Sequence, residues 1–494
     1  MVNVSRTSAV ELVAHIKQEE IAPVEVLDAH LETIAAKDKA RLAAKAAQTA
    51  VTHGEKLGLL HGLSVVIKDI TLTSGIRTTY GSPLYKDFVS VEDAAVVARL
   101  RRAGAIILGK TNTPEFATGA NTVNTLFGTT RNPWNPELSP TGSSGGSAVA
   151  VASGMVPLAQ GTDFGCSVRI TASFCGIVGV RTTGVRLLWD AGQVHGSLAR
   201  SAEDAALMLD GMTGLVPFWP ASAMPPWQSA LTEVERTDSA RRVGIAYASD
   251  ISGLGVDRDV DDLCRASARR LEDDGAIVEN IVFDVSEEID AYKALRGQWM
   301  VGQQLERLSM LHEFGPNLAG NVRDGLKLTV EDIARAAVRA SVWKKFRTVL
   351  SRYDFLLTPT TPVTPYPVEK SFPDLISGMR LENYIDWGAS NCRSSALPFP
   401  SRAFWAVKTR PAPCAGRLAD ICRKLDGSAT GQGPRYRRST KELTSLGTSL
   451  DPADLGASYG IRSRYRPLAL PTVGERATSA SSIENIDSTV VMQT

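Results

Sequence analysis

The stretch from Ser139 to Thr183, SPTGSSGGSAVAVASGMVPLAQGTDFGCSVRITASFCGIVGVRTT, decides the fold expected for this chain. It contains very few charged residues and places small residues between short apolar runs, so most of it is expected to be buried. Its hydroxyl groups would then need hydrogen-bond partners inside the protein. The serines of this stretch are at positions 139, 143, 144, 147, 153, 167 and 173.

Two clusters of small residues in this stretch are suited to bind an anion or to take part in a reaction. The first, Thr141–Ser147, taken alone is typical of a flexible linker, but Ala148–Ala152 after it is compatible with a helix that stops near Gly154. A glycine-rich turn that leads into a helix presents backbone N–H groups without partners. The second cluster, Gly161–Ser167, precedes another apolar segment and is suited to present N–H groups to a developing oxyanion.

In order and content these segments resemble the amidase signature family. The matching pieces are GSSGGS at 142–147, GTD at 161–163, SVRI at 167–170 and ASFCGIVG at 172–179. The resemblance implies a single α/β/α domain with a large mixed β-sheet covered by helices. It also implies amide hydrolysis by a Ser–Ser–Lys triad, with no metal and no cofactor.

The lysine of this triad is expected at Lys68. Five of the eight residues from 63 to 70 are Leu, Val or Ile, which predicts a buried strand around it. Most lysines are solvated surface groups, but an ammonium group in such a strand is costly to bury. A desolvated lysine can be neutral near pH 7 and act as a base. The segments at 62–69 and 75–82 also resemble the family's region around its catalytic lysine.

The resemblance assigns a role to each triad member. Ser167, 24 positions after Ser143, attacks the carbonyl and forms an acyl-enzyme, Ser143 relays the proton, and neutral Lys68 receives it. In the family the relay serine follows a cis peptide bond. The expected supporting residues are Ser144 together with an ion pair of Asp163 and Arg169. The expected oxyanion hole consists of the backbone N–H groups of Phe164, Gly165, Cys166 and Ser167.

Cys166 departs from the family pattern, which usually has glycine at this position. A side chain there restricts φ and predicts a strained oxyanion turn, and a buried structural role is favoured over a catalytic role for the thiol. Two other interpretations of nearby motifs fail. The pattern G-x-S-x-G around Ser144 lacks a preceding strand and a suitable histidine, and S-x-x-K at Ser341 lacks its companion motifs.

Two alternatives to a free-standing amidase remain open. One is the glutaminase component of a tRNA-dependent amidotransferase, although such proteins tend to have Gln where this chain has Ile170. The other is a catalytically inactive amidase-like scaffold, because of Cys166 and an unusual C-terminal region. The resemblance covers residues 5–400, and the basic, Ser/Gly/Arg-rich tail at 402–494 is predicted to be poorly ordered. A partner-binding tail and an altered reading frame both account for its composition.

Elsewhere the periodicity predicts simple elements. Residues 6–53 predict a pair of covering helices, and Asp93 is expected to cap or complement the helix that follows it. Ser201 is expected as the N-cap of another helix. Lys110 has no catalytic role by the resemblance and is expected to be a solvated surface lysine.

The composition limits which partners and which cellular compartment are expected. A net charge of +1 with 22% charged residues gives no electrostatic reason to expect nucleic acid or a membrane. The N-terminus lacks the apolar core of a signal peptide, and six scattered cysteines without metal-ligand spacing favour reduced thiols in the cytoplasm. The expected partner is a small-molecule amide substrate, and a homodimer is left open.

Overall fold

The computed structural model describes residues 4–5, 7–31, 38–186, 193–215, 228–235, 243–273, 275–336, 339–391 and 492–493. The predicted tail at 402–494 therefore lies outside the described residues, except for two positions. The strands are β1 (Ser64–Lys68), β2 (Ile106–Thr111), β3 (Val123–Asn124), β4 (Gly128–Thr129), β5 (Leu158–Asp163), β6 (Val178–Arg186), β7 (Val194–Ala199), β8 (Gly244–Tyr247), β9 (Ile277–Asn280), β10 (Phe355–Leu357), β11 (Leu375–Ile376), β12 (Met379–Arg380) and β13 (Met492–Gln493).

Helices connect and cover these strands. The α-helices are α1 (Ala9–Lys17), α2 (Pro23–Leu31), α3 (Asp38–Thr52), α4 (Ala95–Arg102), α5 (Gly145–Ala152), α6 (Arg169–Cys175), α7 (Ala202–Met212), α8 (Ala230–Glu235), α9 (Arg258–Asp273), α10 (Glu288–Gln304), α11 (Pro316–Leu326), α12 (Val330–Arg335), α13 (Arg339–Leu350) and α14 (Tyr384–Asn391). Short 3-10 turns lie at Pro83–Tyr85, Glu115–Ala117 and Leu305–Met310.

The central sheet is mixed, as the resemblance implies. Over the described part of the chain, its strand order is β13-β2-β1-β5-β7-β6. Strand β1 is parallel to both β2 and β5, whereas β7 is antiparallel to β5 and to β6. A separate parallel sheet has the order β10-β8-β9.

Alternation along β1 separates the two faces of the sheet. Val65 and Ile67 pack with α1, α4 and α7 in one apolar cluster, and Val66 packs with α5 and α6 in another. Successive residues of a strand point to opposite faces, so Lys68 belongs to the Val66 face, beside the helices that carry the serines. Burying each of these aliphatic side chains contributes about 1.5–3 kcal/mol, which fixes the register that places Lys68. The predicted α/β/α layering is confirmed.

One local prediction is wrong, and for Asp93 the capping alternative is wrong. The described residues of the segment 6–53 form three helices, α1 to α3, and not a pair, because α2 ends at Leu31 and a further helix begins at Asp38. Asp93 does not cap α4, whose N-cap is Ala94. Its carboxylate instead accepts from the Ser74 N–H and pairs with Arg101. Ser201 does cap α7, accepting a hydrogen bond from the Asp204 N–H.

Candidate active site

Lys68 ends strand β1 with its ammonium nitrogen fully buried among hydroxyl groups. Its Nζ lies 2.7 Å from Ser143 Oγ and 3.3 Å from Ser167 Oγ. Ser144 Oγ and Thr162 Oγ1 are each 3.0 Å away. The side chain has no exposed surface, so four hydroxyl oxygens replace the water that a lysine ordinarily keeps.

The turn before α5 delivers Ser143 and Ser144. The peptide bond between Gly142 and Ser143 is cis, in agreement with the resemblance. The glycines that follow are required by space, since a Cβ on Gly146 would lie 2.5 Å from the Asn112 carbonyl oxygen. One on Gly145 would lie 2.4 Å from Thr122 Oγ1. The small residues of GSSGG therefore let α5 pack directly on the chain after β2, and the segment is not a linker.

Ser167 lies between the two serines of that turn. Its Oγ is 2.8 Å from Ser143 Oγ and 2.9 Å from Ser144 Oγ, and it accepts a hydrogen bond of 2.9 Å from the Ser143 N–H. The three predicted triad side chains thus meet in one cluster, although Lys68 is 75 positions before Ser143 in the chain. Thr162, which has no role predicted from the sequence, completes the set of oxygens around Nζ.

Burial governs the charge of Lys68. Desolvation lowers the pKa of its ammonium group well below the ordinary 10.5, and the nearby Asp163 carboxylate opposes this effect without cancelling it. The neutral amine is favoured because its four neighbours are uncharged hydroxyl groups. A neutral amine beside two serine hydroxyls is able to accept a proton from them.

Lys110 provides a contrast to Lys68, and the expectation that it is solvated is wrong. Strand β2 extends to Thr111 and is covered on both faces, so Lys110 is fully buried. Its Nζ donates to the Thr71 carbonyl oxygen and to Thr78 Oγ1, and lies 3.8 Å from Asp69 Oδ1. Burial lowers its pKa to about 8, with the Asp69 carboxylate acting in the opposite direction. It contacts a carboxylate and a carbonyl group, whereas Lys68 contacts the serines.

Asp163 and Arg169 form the predicted ion pair beneath the second cluster. Arg169 Nη2 and Nε lie 2.9 and 3.0 Å from the two carboxylate oxygens. The carboxylate also accepts from the N–H groups of Cys166 and Val168. Burial by itself would raise the pKa of Asp163, but the guanidinium groups of Arg169 and Arg181 and these hydrogen bonds lower it to about 2. The pair holds the turn that carries Ser167.

We expect Asp163→Asn to destabilise the protein by about 3–5 kcal/mol at pH 7, because it leaves Arg169 buried beside a neutral amide. The wild type should lose about 2 kcal/mol of stability as the pH falls through about 4 towards 2, since the pKa of Asp163 is about 2 when folded and near 3.8 when unfolded. Urea unfolding at several pH values measures both effects. Asp374→Asn, which breaks an exposed ion pair with Lys370, is the control and should change stability little. Equal unfolding midpoints for the two variants would contradict the expectation.

The turn after β5 contains Cys166, the residue that departs from the family pattern. Cys166 has φ +66°, in the left-handed region that favours glycine, so the strain expected from its side chain is present. Its N–H donates to Asp163 Oδ1 over 3.1 Å. An N–H already bonded to a carboxylate is not directed at a substrate oxygen, so Cys166 is removed from the expected oxyanion donors. Phe164, Gly165 and Ser167 remain as predictions.

Cys166 and Cys175 offer opposite stability effects for the same substitutions. Both thiols are buried, but Cys175 ends α6, where the backbone is right-handed. We expect the free energy of unfolding of Cys166→Gly to exceed that of Cys166→Ala by about 1 kcal/mol, because alanine keeps the Cβ that the left-handed backbone disfavours. Cys175→Ala should in turn be about 1 kcal/mol more stable than Cys175→Gly, because alanine has the higher helix propensity. Chemical denaturation of the four variants measures the difference, and the same sign at both sites would refute the argument.

An open cavity leads to the serines. Ser143, Thr162 and Ser167 lie at its base, next to Phe164 and Gly165. The Phe164 ring stacks on Trp299 with a centroid separation of 5.0 Å and lies 6.0 Å from Tyr292. The other wall residues are Ala117, Gly119, Ala120, Gly142, Ile170, Gln193, Arg296, Tyr384, Ile385 and Trp387. Five of the seventeen lining residues are therefore aromatic, and one, Arg296, is cationic.

The described part of the chain holds neither a clustered metal site nor a membrane span. Within these ranges, no group of three or more His, Cys, Asp and Glu side chains is arranged to hold a metal ion. No helix among the same residues combines the length and the apolar character needed to cross a membrane.

Comparison with known proteins identifies the family to which this geometry belongs. The Amidase family model matches residues 24–403, which is most of the chain. The chain belongs to the amidase signature family. Its curated relatives include an acylamidase of Rhodococcus erythropolis, 34% identical over 421 residues, with 78% of this chain and 85% of the relative covered. Another is a glutamyl-tRNA(Gln) amidotransferase component of Acidothermus cellulolyticus, 32% identical over 422 residues, with coverages of 76% and 83%.

Solved structures support the amidase signature fold. A bacterial aryl acylamidase of this family matches with a TM-score of 0.73 at 24% identity, covering 86% of this chain and 96% of its own. A 6-aminohexanoate cyclic dimer hydrolase in complex with its substrate matches with a TM-score of 0.69 at 23% identity, covering 88% and 98%. The chain is thus an amidase-type hydrolase by family.

Proposed function

We propose that this amidase hydrolyses carboxylic acid amides through an acyl-enzyme on Ser167. The observation that carries the proposal is the buried cluster in which Lys68 Nζ lies 2.7 Å from Ser143 Oγ, which in turn lies 2.8 Å from Ser167 Oγ. A nucleophile, a relay and a neutral base are then in hydrogen-bond contact in that order. Ser167 also opens on the cavity, so a substrate carbonyl has access to it.

The proton route balances through both halves of the reaction. As Ser167 Oγ bonds to the carbonyl carbon, its proton passes to Ser143 Oγ, and the Ser143 proton passes to Lys68 Nζ. Collapse of the tetrahedral intermediate breaks the C–N bond, and the proton returns by the same path to the leaving amine. Water then adds to the ester carbonyl, gives its proton to the same route, and releases the acid with Ser167 restored.

The backbone N–H groups of Phe164, Gly165 and Ser167 are the proposed oxyanion donors. They lie on the turn that the Asp163–Arg169 pair holds in place, and both Phe164 and Gly165 line the cavity. Donors fixed before the reaction need little reorganisation when charge develops on the carbonyl oxygen.

The cavity supports amides with a planar aromatic group as the substrate class. Phe164, Tyr292 and Trp299 form one aromatic wall, and Tyr384 and Trp387 also line the space. Aromatic rings stack or meet edge to face with favourable energies of about 0.5–1.5 kcal/mol per pair beyond area burial. The related bacterial aryl acylamidase fold is consistent with this choice.

The test is hydrolysis of a matched amide panel: benzamide, acetanilide, acetamide and glutamine, with product acids and amines quantified. We expect kcat/KM for the best aromatic amide to exceed that for acetamide by at least about tenfold, from ring contacts of about 1.4 kcal/mol in total. Covalent labelling by a fluorophosphonate probe should accompany hydrolysis. A wild-type protein that neither labels nor hydrolyses any amide would favour the inactive scaffold instead.

A second candidate, the glutaminase component of a tRNA-dependent amidotransferase, is favoured by the relative from Acidothermus cellulolyticus. Its discriminating reaction is ammonia release from glutamine. The free-standing amidase predicts that glutamine is a poor substrate compared with an aromatic amide, because five aromatic side chains line the cavity. Rapid ammonia release from glutamine together with inertness towards the aromatic amides would favour the amidotransferase component.

A further inference from the structure

A buried amide and a buried imidazole lie directly behind the lysine. Gln160 on β5 has no exposed surface, and His195 on the neighbouring antiparallel strand β7 is 4% exposed. Gln160 Nε2 lies 2.8 Å from His195 Nδ1. Polar side chains are uncommon in such buried positions unless they hydrogen-bond to one another or to the backbone, so the contacts of this pair indicate its role.

The side-chain amide of Gln160 accepts the hydrogen bond of the first backbone N–H after the β1–β5 ladder ends. The registered pairs of that ladder end with Ile67 opposite Gln160, so the next N–H, that of Lys68, lies beyond the ladder. Gln160 Oε1 accepts a 3.1 Å hydrogen bond from this Lys68 N–H and a 3.3 Å bond from the Thr71 hydroxyl. The side chain therefore ties the backbone of Lys68 to β5 at the point where the chain turns away.

The neighbours of the amide fix its orientation. Oε1 faces two donors, the Lys68 N–H and the Thr71 hydroxyl, whereas Nε2 donates over 2.7 Å to the Gly161 carbonyl oxygen. The reversed amide would set an oxygen against that carbonyl oxygen. Nε2 consequently donates to His195 Nδ1, which must be unprotonated, so the imidazole is neutral and carries its proton on Nε2.

We propose that Gln160 and His195 form a positioning pair: His195 fixes the Gln160 amide, and the amide fixes the backbone of Lys68, so that Nζ is held against Ser143 and Ser167. This inference rests on the proposed role of Lys68 as the base. The pair touches neither substrate nor the reacting oxygens, and it acts through Lys68 alone. A displacement of about 1 Å at a reacting group is enough to cost about 100-fold in rate.

The charges around the pair agree with this role. Burial, with a smaller effect of the Arg99 cation, lowers the pKa of His195 to about 3. The imidazole therefore stays neutral wherever the enzyme is folded and active, and it places no cation beside Lys68. The charged group that does bear on Lys68 is the Asp163 carboxylate, itself paired with Arg169 and 3.9 Å from Arg181.

The test uses the full chain and a fluorophosphonate probe, whose inactivation rate kinact and apparent affinity KI separate activation of Ser167 from binding. Gln160→Leu should lower kinact by about 10–100-fold with KI within about twofold. His195→Leu should have a smaller effect of the same kind, and the double variant should be no slower than Gln160→Leu, because both act through one contact. Ser197→Ala, which removes a buried β7 hydroxyl bonded to the Ala205 carbonyl oxygen, is the matched control. It should lose stability without losing kinact.

A spectroscopic measurement tests the tautomer independently of activity. Nitrogen NMR of the histidine side chains, with His195 assigned by its loss in His195→Leu, should show a neutral ring protonated at Nε2 at pH 6. A wild type that labels normally while both single variants keep kinact within twofold would overturn the positioning pair, as would a ring protonated at Nδ1. Failure of the wild type to label at all would instead overturn the proposed function, so the two failures are distinguishable.

Discussion

Ser167→Ala is expected to abolish amide hydrolysis and fluorophosphonate labelling together, with kcat falling by about 10⁴–10⁶-fold. Removal of the nucleophile from a serine hydrolase leaves only the contributions of oxyanion donors and substrate binding. Ser167 Oγ is also the atom on which Ser143, Ser144 and Lys68 converge. The measurement is steady-state hydrolysis of the best amide from the panel, alongside probe labelling.

Ser153→Ala is the matched control for that experiment. Ser153 is the exposed C-cap residue of α5, on the helix that begins just after Ser143 and Ser144. The control should retain activity within about twofold, since surface substitutions away from special features change stability little. If Ser167→Ala keeps more than about one hundredth of the wild-type kcat while folded, the acyl-enzyme on Ser167 is wrong.

Lys68→Met is expected to lower kcat by about 10³–10⁵-fold without unfolding the protein. Methionine fills similar space, but it cannot accept the proton that Ser143 passes on, and general-base catalysis together with the serine it activates is worth this much. The variant also removes the cost of burying an amine, so its stability should equal or exceed that of the wild type. Hydrolysis rates and urea unfolding of the same preparations measure both effects.

Lys110→Met is the informative comparison, because it removes an equally buried lysine from the neighbouring strand. Asp69 would lose its cationic neighbour, so this variant should be clearly destabilised, whereas kcat per folded molecule should stay within about threefold. The proposed base would be refuted if Lys68→Met behaved like Lys110→Met, losing activity only in proportion to folded protein.

The pH dependence of Lys68 has a definite sign. Its pKa is lowered in the folded protein, so activity should rise with pH as the amine loses its proton, and fall as the pH drops through the folded value. The unfolded chain binds this proton up to about pH 10.4, so the free energy of unfolding should increase with pH between the folded and unfolded values. Lys68→Met should lack this part of the stability slope.

The sequence predicted which side chains meet in the candidate site better than it predicted the contacts between them. Ser143 and Ser167 could be placed because their glycine-rich surroundings occur in a recognisable order, and Lys68 because a lysine inside a run of Val and Ile is anomalous. That reasoning failed for Lys110, whose run ILGKT is typical of the end of a strand rather than of its buried continuation.

Other features depended on strand register, which local sequence does not specify. Gln160 and His195 are 35 positions apart and meet only because β5 and β7 pair antiparallel. The available signal was a glutamine inside the apolar run before GTD, which a search for buried polar residues would have found. The prediction for the Cys166 N–H is wrong because the carboxylate of Asp163, three residues earlier, accepts its hydrogen bond, a local contact that the resemblance does not record.

The parallel pairing of β1 with β5 has a consequence for biosynthesis. The amine arrives on a segment made about 75 residues before the first hydroxyl it touches, and contacts so distant in sequence form slowly. On the proposed mechanism, the nascent chain gains hydrolytic activity only after the segment with Ser143 and Ser167 has been made and has packed against β1. Recovery of probe labelling after dilution from denaturant therefore times the closure of that long loop, not the formation of local helices.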